Sequence, residues 1–324
     1  MISSGNRHTE DAFSISVVVP VYNEVEACPR FLNKILPILA SLTPDYEIIF
    51  VDDGSSDGTL KALQQAHVQD ARVKAITLTR NFGKELALTA GLDFAFGDAV
   101  IPIDVDLQDP PELIPEMVSR WQEGFDMVLP VRADRSSDSL LKRTSAGIFY
   151  NLARKLSDVE IPANVGDFRL MDRKVVEALK RLPERTRFMK GLFAWLGFTQ
   201  TTVEYSRPER AVGETKWKYW QLWNFALEGL FSFSTLPLRI WTYFGLCIAL
   251  LGLGLAGYII YRQIFFGIDV VGYASLIVSV LFFSGMNMVG LGIIGEYLGR
   301  IFLEVKQRPR YLVRDLVGID EHDQ

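Results

Sequence analysis

Histidine and cysteine are scarce, three of the one and two of the other in 324 residues. His8, His67 and His322 stand outside every polar cluster, which argues against a histidine-ligated metal or a histidine-centred triad. Cys28 and Cys247 are far apart and lack metal-ligand spacing, so neither a disulfide framework nor a cysteine zinc site is expected. Positive charge is not in excess: 34 Lys and Arg against 39 Asp and Glu give a net charge of −5, which argues against a protein that coats nucleic acid. No GxGxxG follows the first apolar run and no GxxxxGK[ST] occurs, which disfavours a dinucleotide-binding Rossmann domain and a P-loop domain. The opening stretch MISSGNRHTEDAF lacks the apolar core of a signal peptide, so the first domain is expected to stay in the cytoplasm.

What is present is unevenly distributed. The first two thirds read as a soluble protein, whereas Trp241–Tyr261 and Val271–Ile294 carry no charge over 21 and 24 residues. A helix of either length can cross a hydrocarbon core of ~30 Å. The short connector Arg262–Val270 makes the pair a hairpin. Arg239 precedes it, and Arg300, Lys306, Arg308, Arg310 and Arg314 follow, a bias that puts both ends in the cytoplasm. Between the two parts, Trp217–Phe233 is rich in aromatics and begins beside Lys216 and Lys218, the pattern of a helix lying in the membrane interface.

The soluble part alternates strand and helix. Strands are expected at Ser16–Val21, Tyr46–Val51, Val73–Leu78, Ala99–Ile103 and Met127–Val131, with helices over Ala27–Leu42, Leu60–Ala66, Lys84–Ala95 and Pro111–Glu123. The pattern is that of an α/β domain with a mostly parallel sheet covered on both faces. Ligands of such sheets bind beyond the carboxyl ends of the strands. The clusters YNE, DDGSSDGT and DLQD each follow a strand, so they should share one rim.

The densest cluster is DVDLQDP, residues 104–110. Carboxylates so crowded repel one another and resist burial without a counter-charge. Asp104, Asp106 and the amide oxygen of Gln108 form an oxygen-only set, which suits Mg2+ or Mn2+ completed by substrate phosphates.

VVVPVYNE, VDDGSSDGT, RNFGKE and DVDLQDP, in that order, resemble the family-2 glycosyltransferases with a GT-A fold. The resemblance continues through GDFRLMDR and RAVGETKW into the two apolar spans, and it is narrowest to the polyprenyl-phosphate glycosyltransferases, the bactoprenol glucosyltransferases among them. It implies an inverting enzyme moving a hexose, glucose by overall resemblance, from a UDP-sugar to a polyprenyl phosphate at the cytoplasmic face of the inner membrane. The implied metal ligands are Asp106 and Gln108, with Asp104 facing the ribose or sugar. Pro20, Tyr22, Asn23, Glu24, Arg80 and Lys84 fall to the donor nucleotide-sugar, and either Asp52 or Asp53 accepts from a base N–H. For Asp57 a helix-start turn is the stronger reading, and for Lys84 a solvated helix start competes with a diphosphate contact. Asp167 stands where the family's catalytic base is expected. Because a lipid phosphate is already largely ionised at neutral pH, Asp167 is equally readable as orienting the acceptor or holding Arg169 or another cation. Arg210 and Lys216 match the acceptor-phosphate segment. Arg132 and Arg143 are read either as part of it or as cations facing anionic lipid heads. A homo-oligomer, a tetramer in the family, is also implied.

The expected layout is an N-terminal tail at 1–14, a GT-A domain at 15–210, interface helices at 211–236, two membrane helices at 237–297 and a tail at 298–324. Two competing functions are a processive polysaccharide synthase, for which a QxxRW-type motif and further spans are missing, and a membrane scaffold with a degenerate nucleotide domain, against which the intact acidic cluster speaks.

Overall fold

A computed structural model of the chain describes residues 12–132, 166–185, 187, 189–205, 236–266 and 272–319. The chain divides into two compact units, one built on a sheet and one on two long helices.

The sheet unit begins with β1 (Ile15–Val21), whose β-branched run is buried on both faces. It pairs in parallel with β2 (Tyr46–Asp52) and β4 (Ala99–Pro102), and β2 pairs in parallel with β3 (Val73–Leu78). Strands hidden on both faces read as continuous apolar runs, which is why these four were visible in the sequence. Helix α1 (Ala27–Leu42) buries Cys28, Phe31, Leu32, Ile35 and Leu39, one stripe at helical spacing, and Phe31 meets Phe50 of β2 edge to face. Helices α2 (Thr59–Gln69), α3 (Lys84–Asp93) and α4 (Ile114–Gln122, preceded by a 3-10 turn at Pro111–Leu113) follow the expected alternation.

Beyond β5 (Met127–Arg132) the sheet departs from a simple parallel arrangement. β6 (Leu170–Asp172) lies between β4 and β5, antiparallel to both, and β7 (Gln200–Tyr205) extends β5 in parallel. Asp172 caps α5 (Arg173–Lys180) by accepting from the Lys174 N–H at 3.0 Å, and it also accepts from the Trp121 indole at 2.8 Å. These bonds fix the end of β6 where it passes into α5. Helix α6 (Met189–Trp195) precedes β7.

The expected C-terminal tail is a strand instead. β8 (Val313–Val317) pairs antiparallel with β3, completing an eight-stranded sheet of order β7-β5-β6-β4-β1-β2-β3-β8. The physical reason is the open edge of β3, whose backbone groups need partners. Leu312 accepts from Thr79 N–H at 2.9 Å, the Tyr311 hydroxyl donates to Asp93 at 2.9 Å, and Arg310 donates to the Leu182 carbonyl.

The second unit consists of α7 (Leu236–Phe266) and α8 (Tyr273–Val305), 31 and 33 residues, both longer than the expected spans. Trp241 of α7 lies against Gly290 of α8 so closely that a Cβ there would sit 2.8 Å from the indole Cε2 and closer still to its Nε1. Leu250, Leu251, Leu253, Phe282, Met288 and Leu291 are exposed. Among the described residues no helix is long and apolar enough to cross a membrane. The expected interface helix at 217–233 lies outside the described residues.

Helix α3 is held to the sheet at Gly91, where a Cβ would come within 2.9 Å of Val51 and closer still to Val18. Gly91→Val should therefore overpack the β1–β2 face at a cost of about 1–3 kcal/mol. Thermal unfolding of the variant is expected several degrees below the wild type; an unchanged midpoint would show that α3 does not seat on the sheet this closely.

Candidate active site

The ends of β1 to β4 carry the predicted clusters onto one rim, and hydrogen bonds stitch the first two together. Asn23 has φ 55°, a left-handed turn that its short amide tolerates. Its Oδ1 accepts from Ser56 N–H at 2.9 Å, and its own N–H donates to Ser55 Oγ at 2.8 Å. Glu24 N–H donates to Thr59 Oγ1 at 3.0 Å. Asn23, expected at the donor, is thus also a brace between loops. Asp57 accepts from Thr59 N–H at 2.9 Å, the turn role its spacing suggested. The hydrogen bond from the Thr59 side chain leads in holding its carboxyl below the usual range, and backbone donors add to it. Pro20 lies in β1 opposite Val51, and Tyr22 beyond it is exposed.

The adjacent aspartates at the end of β2 separate cleanly. Asp53 is buried and spends both oxygens on backbone: Oδ1 accepts from Phe82 N–H at 2.7 Å and Oδ2 from Gly83 N–H at 2.9 Å. Burial raises its carboxyl above the ordinary value against the pull of these two donors. Asp52 accepts from Ser55 N–H through Oδ1 at 2.9 Å, while its Oδ2 is buried without a hydrogen-bond partner. Between the two, Asp52 keeps an unpaired oxygen, but that oxygen is buried. Arg80, on the next rim segment, is exposed; its guanidinium lies 4.1 Å over the Phe82 ring.

Lys84, the first residue of α3, bridges Asp104 and Asp167. Its Nζ stands 2.8 Å from Asp104 Oδ1 and 2.7 Å from Asp167 Oδ2. Burial disfavours the ammonium, but the charges of Asp167 and Asp104 outweigh it and raise its pKa. A solvated helix start, one of the two readings of Lys84, does not describe this contact. The loop of Asp167 is shaped by Arg169, which is buried, stacks 3.9 Å over Phe193 and donates to the carbonyls of Gly166 at 2.7 Å and Asp167 at 3.3 Å. Burial lowers its pKa to about 10. Of the two forms of that suggestion, Arg169 or another cation, Arg169 bonds the backbone of the loop, and Lys84 is a cation that meets the carboxylate. Nothing in the order of residues signals the Lys84 contact, because its partners lie 20 and 83 positions away.

Asp106 is exposed and accepts from Gln108 N–H at 3.0 Å across a turn in which Leu107 has φ 57°. It lies near Glu24, whose carboxyl is raised first by burial and then by the charges of Asp106 and Asp57. Among the described residues no group of three or more His, Cys, Asp or Glu side chains is arranged to hold a metal ion. With Asp104 engaged by Lys84, the rim offers Asp106 as an exposed carboxylate and Gln108, also exposed, beside it. That donor set fits a hard divalent cation held by one carboxylate and completed by substrate phosphates and water. Asp109 accepts from the Tyr205 hydroxyl at 3.2 Å, a tie to β7. Arg132 ends β5, and Arg143, Arg210 and Lys216 lie outside the described residues.

Strand-end loops converging on an acidic turn place these residues where sheets of this kind bind ligands, beyond the carboxyl ends of the strands. Residues 16–180 match the model of Glycosyl transferase family 2. The chain belongs to this family and is a glycosyltransferase. It is 54% identical over 306 residues to an uncharacterized glycosyltransferase of Synechocystis, covering 94% of this chain and 96% of that one. It is 52% identical over 300 residues to a prophage bactoprenol glucosyl transferase homolog of Escherichia coli, covering 93% and 98%. Among solved structures, the glucosyl-3-phosphoglycerate synthase of Mycobacterium tuberculosis, in complex with Mn2+, UDP-glucose and phosphoglyceric acid, is similar at 20% identity and a TM-score of 0.44, covering 68% of this chain and 78% of that one.

The thiol of Cys28, on α1 behind the rim, is pushed up to about 12, first by burial and then by the charges of Glu24, Asp52 and Asp57. Only the thiolate alkylates readily. In a Cys247→Ser background, iodoacetamide at pH 8 should leave the folded protein unmodified and label it after denaturation; labelling of the native protein at the rate of a free thiol would contradict this buried, acid-flanked setting.

Proposed function

We propose that this glycosyltransferase moves a hexose, glucose foremost, from a UDP-sugar to a polyprenyl phosphate, giving a lipid-linked monosaccharide and UDP. The observation that carries the reading is the rim itself, where Lys84 joins Asp104 to Asp167 and leaves Asp106 exposed beside them. The resemblance to enzymes named bactoprenol glucosyl transferases over nearly the whole chain supports the choice of acceptor.

In this reading Asp52 or Asp53 accepts from a base N–H, and Tyr22 packs on the base. Asp104 faces the ribose or the sugar. Asp106 with Gln108 would hold Mg2+ or Mn2+, which when bound would supply positive charge at the leaving diphosphate. A phosphate oxygen of the acceptor attacks the anomeric carbon as the bond to UDP breaks, with inversion. That oxygen is already ionised near neutral pH, so Asp167 has no proton to remove and serves to orient groups through Lys84. Arg210, Lys216, Arg132 and Arg143 supply cations for the acceptor phosphate. Catalysis then rests on positioning and on charge placed at the leaving group.

We further infer that α7 and α8 form a membrane hairpin with both ends and the sheet unit on the cytoplasmic side of the inner membrane, in a homo-oligomer. The support is in the sequence, where Trp241–Tyr261 and Val271–Ile294 carry no charge over 21 and 24 residues, each long enough at a rise of ~1.5 Å to match a ~30 Å hydrocarbon core, although no described helix meets the length and apolarity of a membrane span.

Membranes containing the protein, given UDP-[14C]glucose and undecaprenyl phosphate, should form an organic-soluble labelled lipid. EDTA should stop its formation and added Mn2+ or Mg2+ restore it. Label remaining in water with every nucleotide sugar of a broad panel would overturn the assignment of acceptor, and full activity after exhaustive chelation would remove the metal.

Topology is open to a separate test. With Cys28 and Cys247 replaced, a cysteine at position 269 should react with an impermeant thiol reagent added outside intact cells, and one at position 320 should not. The opposite pattern would reverse the orientation.

A further inference from the structure

We propose that Tyr205 is a positioning residue for the metal-binding turn: its hydroxyl fixes Asp109, and Asp109 fixes the turn that presents Asp106 and Gln108. This rests on the reading of that turn as the cation site of the donor. Tyr205 ends β7 and is buried, and its hydroxyl donates to Asp109 Oδ1 at 3.2 Å, 96 positions back in the chain. A buried phenol needs a partner for its O–H. Here the partner is a half-buried carboxylate three residues beyond Asp106 and next to Gln108. Val105 before the turn and Pro111 after it are buried, whereas Asp106 and Gln108 between them are exposed. The turn thus stands out from the rim on two buried ends. Leu107 at its crest has φ 57°, a conformation that leucine rarely adopts. Inside the turn, the Gln108 N–H donates to Asp106 Oδ1, a bond that moves with the turn and does not locate it. Tyr205 supplies a fixed point outside it.

The same carboxylate brings a second part of the rim to the turn. A Cβ on Gly166 would stand 3.8 Å from Asp109 Oδ2, so Asp109 takes the Tyr205 hydroxyl on one oxygen and lies beside the Gly166 backbone with the other. Gly166 precedes Asp167, and its carbonyl accepts from the buried Arg169 at 2.7 Å. Tyr205 is itself paired with Arg132 in the parallel ladder of β5 and β7, so both strands end at this rim. Asp109 is thereby held among the end of β7, the loop of Asp167 and the turn of Asp106. A donor on Asp109 also offsets charge in a turn whose acids repel one another. Without the hydroxyl the turn would keep its ligands and lose their placement. A cation held by one carboxylate and one amide depends on that placement, because the partners of a ligand loop orient its oxygens.

The test is calorimetric titration of the full-length protein with UDP at a series of Mn2+ concentrations, beside thermal unfolding without metal. The wild type is compared with Tyr205→Phe, Asp109→Ala, Asp109→Asn and the double variant of Tyr205→Phe with Asp109→Ala. Phenylalanine removes one oxygen and keeps the ring in β7. Tyr205→Phe should raise the Mn2+ concentration needed for half-maximal UDP affinity about 10-fold, the scale on which partners of metal ligands act. Asp109→Ala should do the same, and the double variant should be no worse than either. Asp109→Asn keeps an oxygen for the hydroxyl and should stay near the wild type. The KM for undecaprenyl phosphate, at saturating Mn2+ and UDP-glucose, should not change in Tyr205→Phe. A lower unfolding midpoint with an unchanged Mn2+ requirement would overturn the proposal by making the bond merely structural. So would loss of Mn2+ in Asp109→Asn but not in Tyr205→Phe, which makes Asp109 a ligand, or a rise only in the KM for undecaprenyl phosphate, which moves the hydroxyl to the acceptor. Should Tyr205→Phe fail to fold, Asp109→Ala reads the same bond from the turn, and a wild-type Mn2+ requirement in that variant would equally overturn it. A wild-type protein whose UDP binding ignores Mn2+ fails the donor-metal reading, and the proposal with it, before any variant is made.

Discussion

The ion pairs of Lys84 with Asp104 and Asp167 are the constraint on which the rim depends. Two carboxylates brought together from β4 and from the loop before β6 would repel each other across a partly buried space. One ammonium, itself half-withdrawn from water, removes that repulsion and raises its own pKa in doing so. The other arrangements serve to deliver it. β3 carries the chain to the rim, Asp53 accepts from the N–H groups of the turn before α3, Gly91 lets α3 lie flat on β1 and β2, and β8 covers the edge of β3. The same pairing also decides which acidic residue is left over. With Asp104 engaged, Asp106 is the member of the DxD pair that faces solvent and can meet a cation arriving with a nucleotide diphosphate.

This division of labour among like residues is a general feature of the site. Of two adjacent aspartates at the end of β2, one spends both oxygens on backbone N–H groups and one keeps a buried, unpaired oxygen. Of the acids in DVDLQDP, one meets a lysine, one faces solvent and one accepts from Tyr205. Of two cations near position 167, Arg169 grips carbonyls beneath the loop and Lys84 meets the carboxylate above it. Clusters of identical charge are tolerated because the members have different partners, and Asp106 remains exposed among them.

The order of elements through β5 was readable because its strands are buried on both faces and therefore written as unbroken apolar runs, each ended by a polar cluster. β6 is three residues long and carries no period, and β8 is a short edge strand whose VRDLV alternation looked like the remainder of a tail. Both are defined by partners distant in the sequence rather than by their own residues. The same limit applied within the site. Membership of the rim followed from strand-end position, and so Asp52, Asp53, Lys84, Asp104 and Asp106 were all found. That Asp53 would accept from the Phe82 and Gly83 N–H groups could not follow from position, since those partners lie about 30 residues further along the chain. Arg169 went unrecognised as the organiser of its loop, although an arginine between Phe168 and Leu170, in an apolar strand entry, carried the signal of a buried cation needing carbonyl partners.

The central claim is that this rim, with Asp104 neutralised and Asp106 open, is a donor-diphosphate site completed by a divalent cation. Calorimetric titration of the full-length protein with UDP, in the presence and absence of Mn2+, tests it most directly. The account predicts heat of binding with Mn2+ that is lost without the metal and lost again in Asp106→Asn. UDP binding of equal strength with and without Mn2+, unaltered by that substitution, would contradict it.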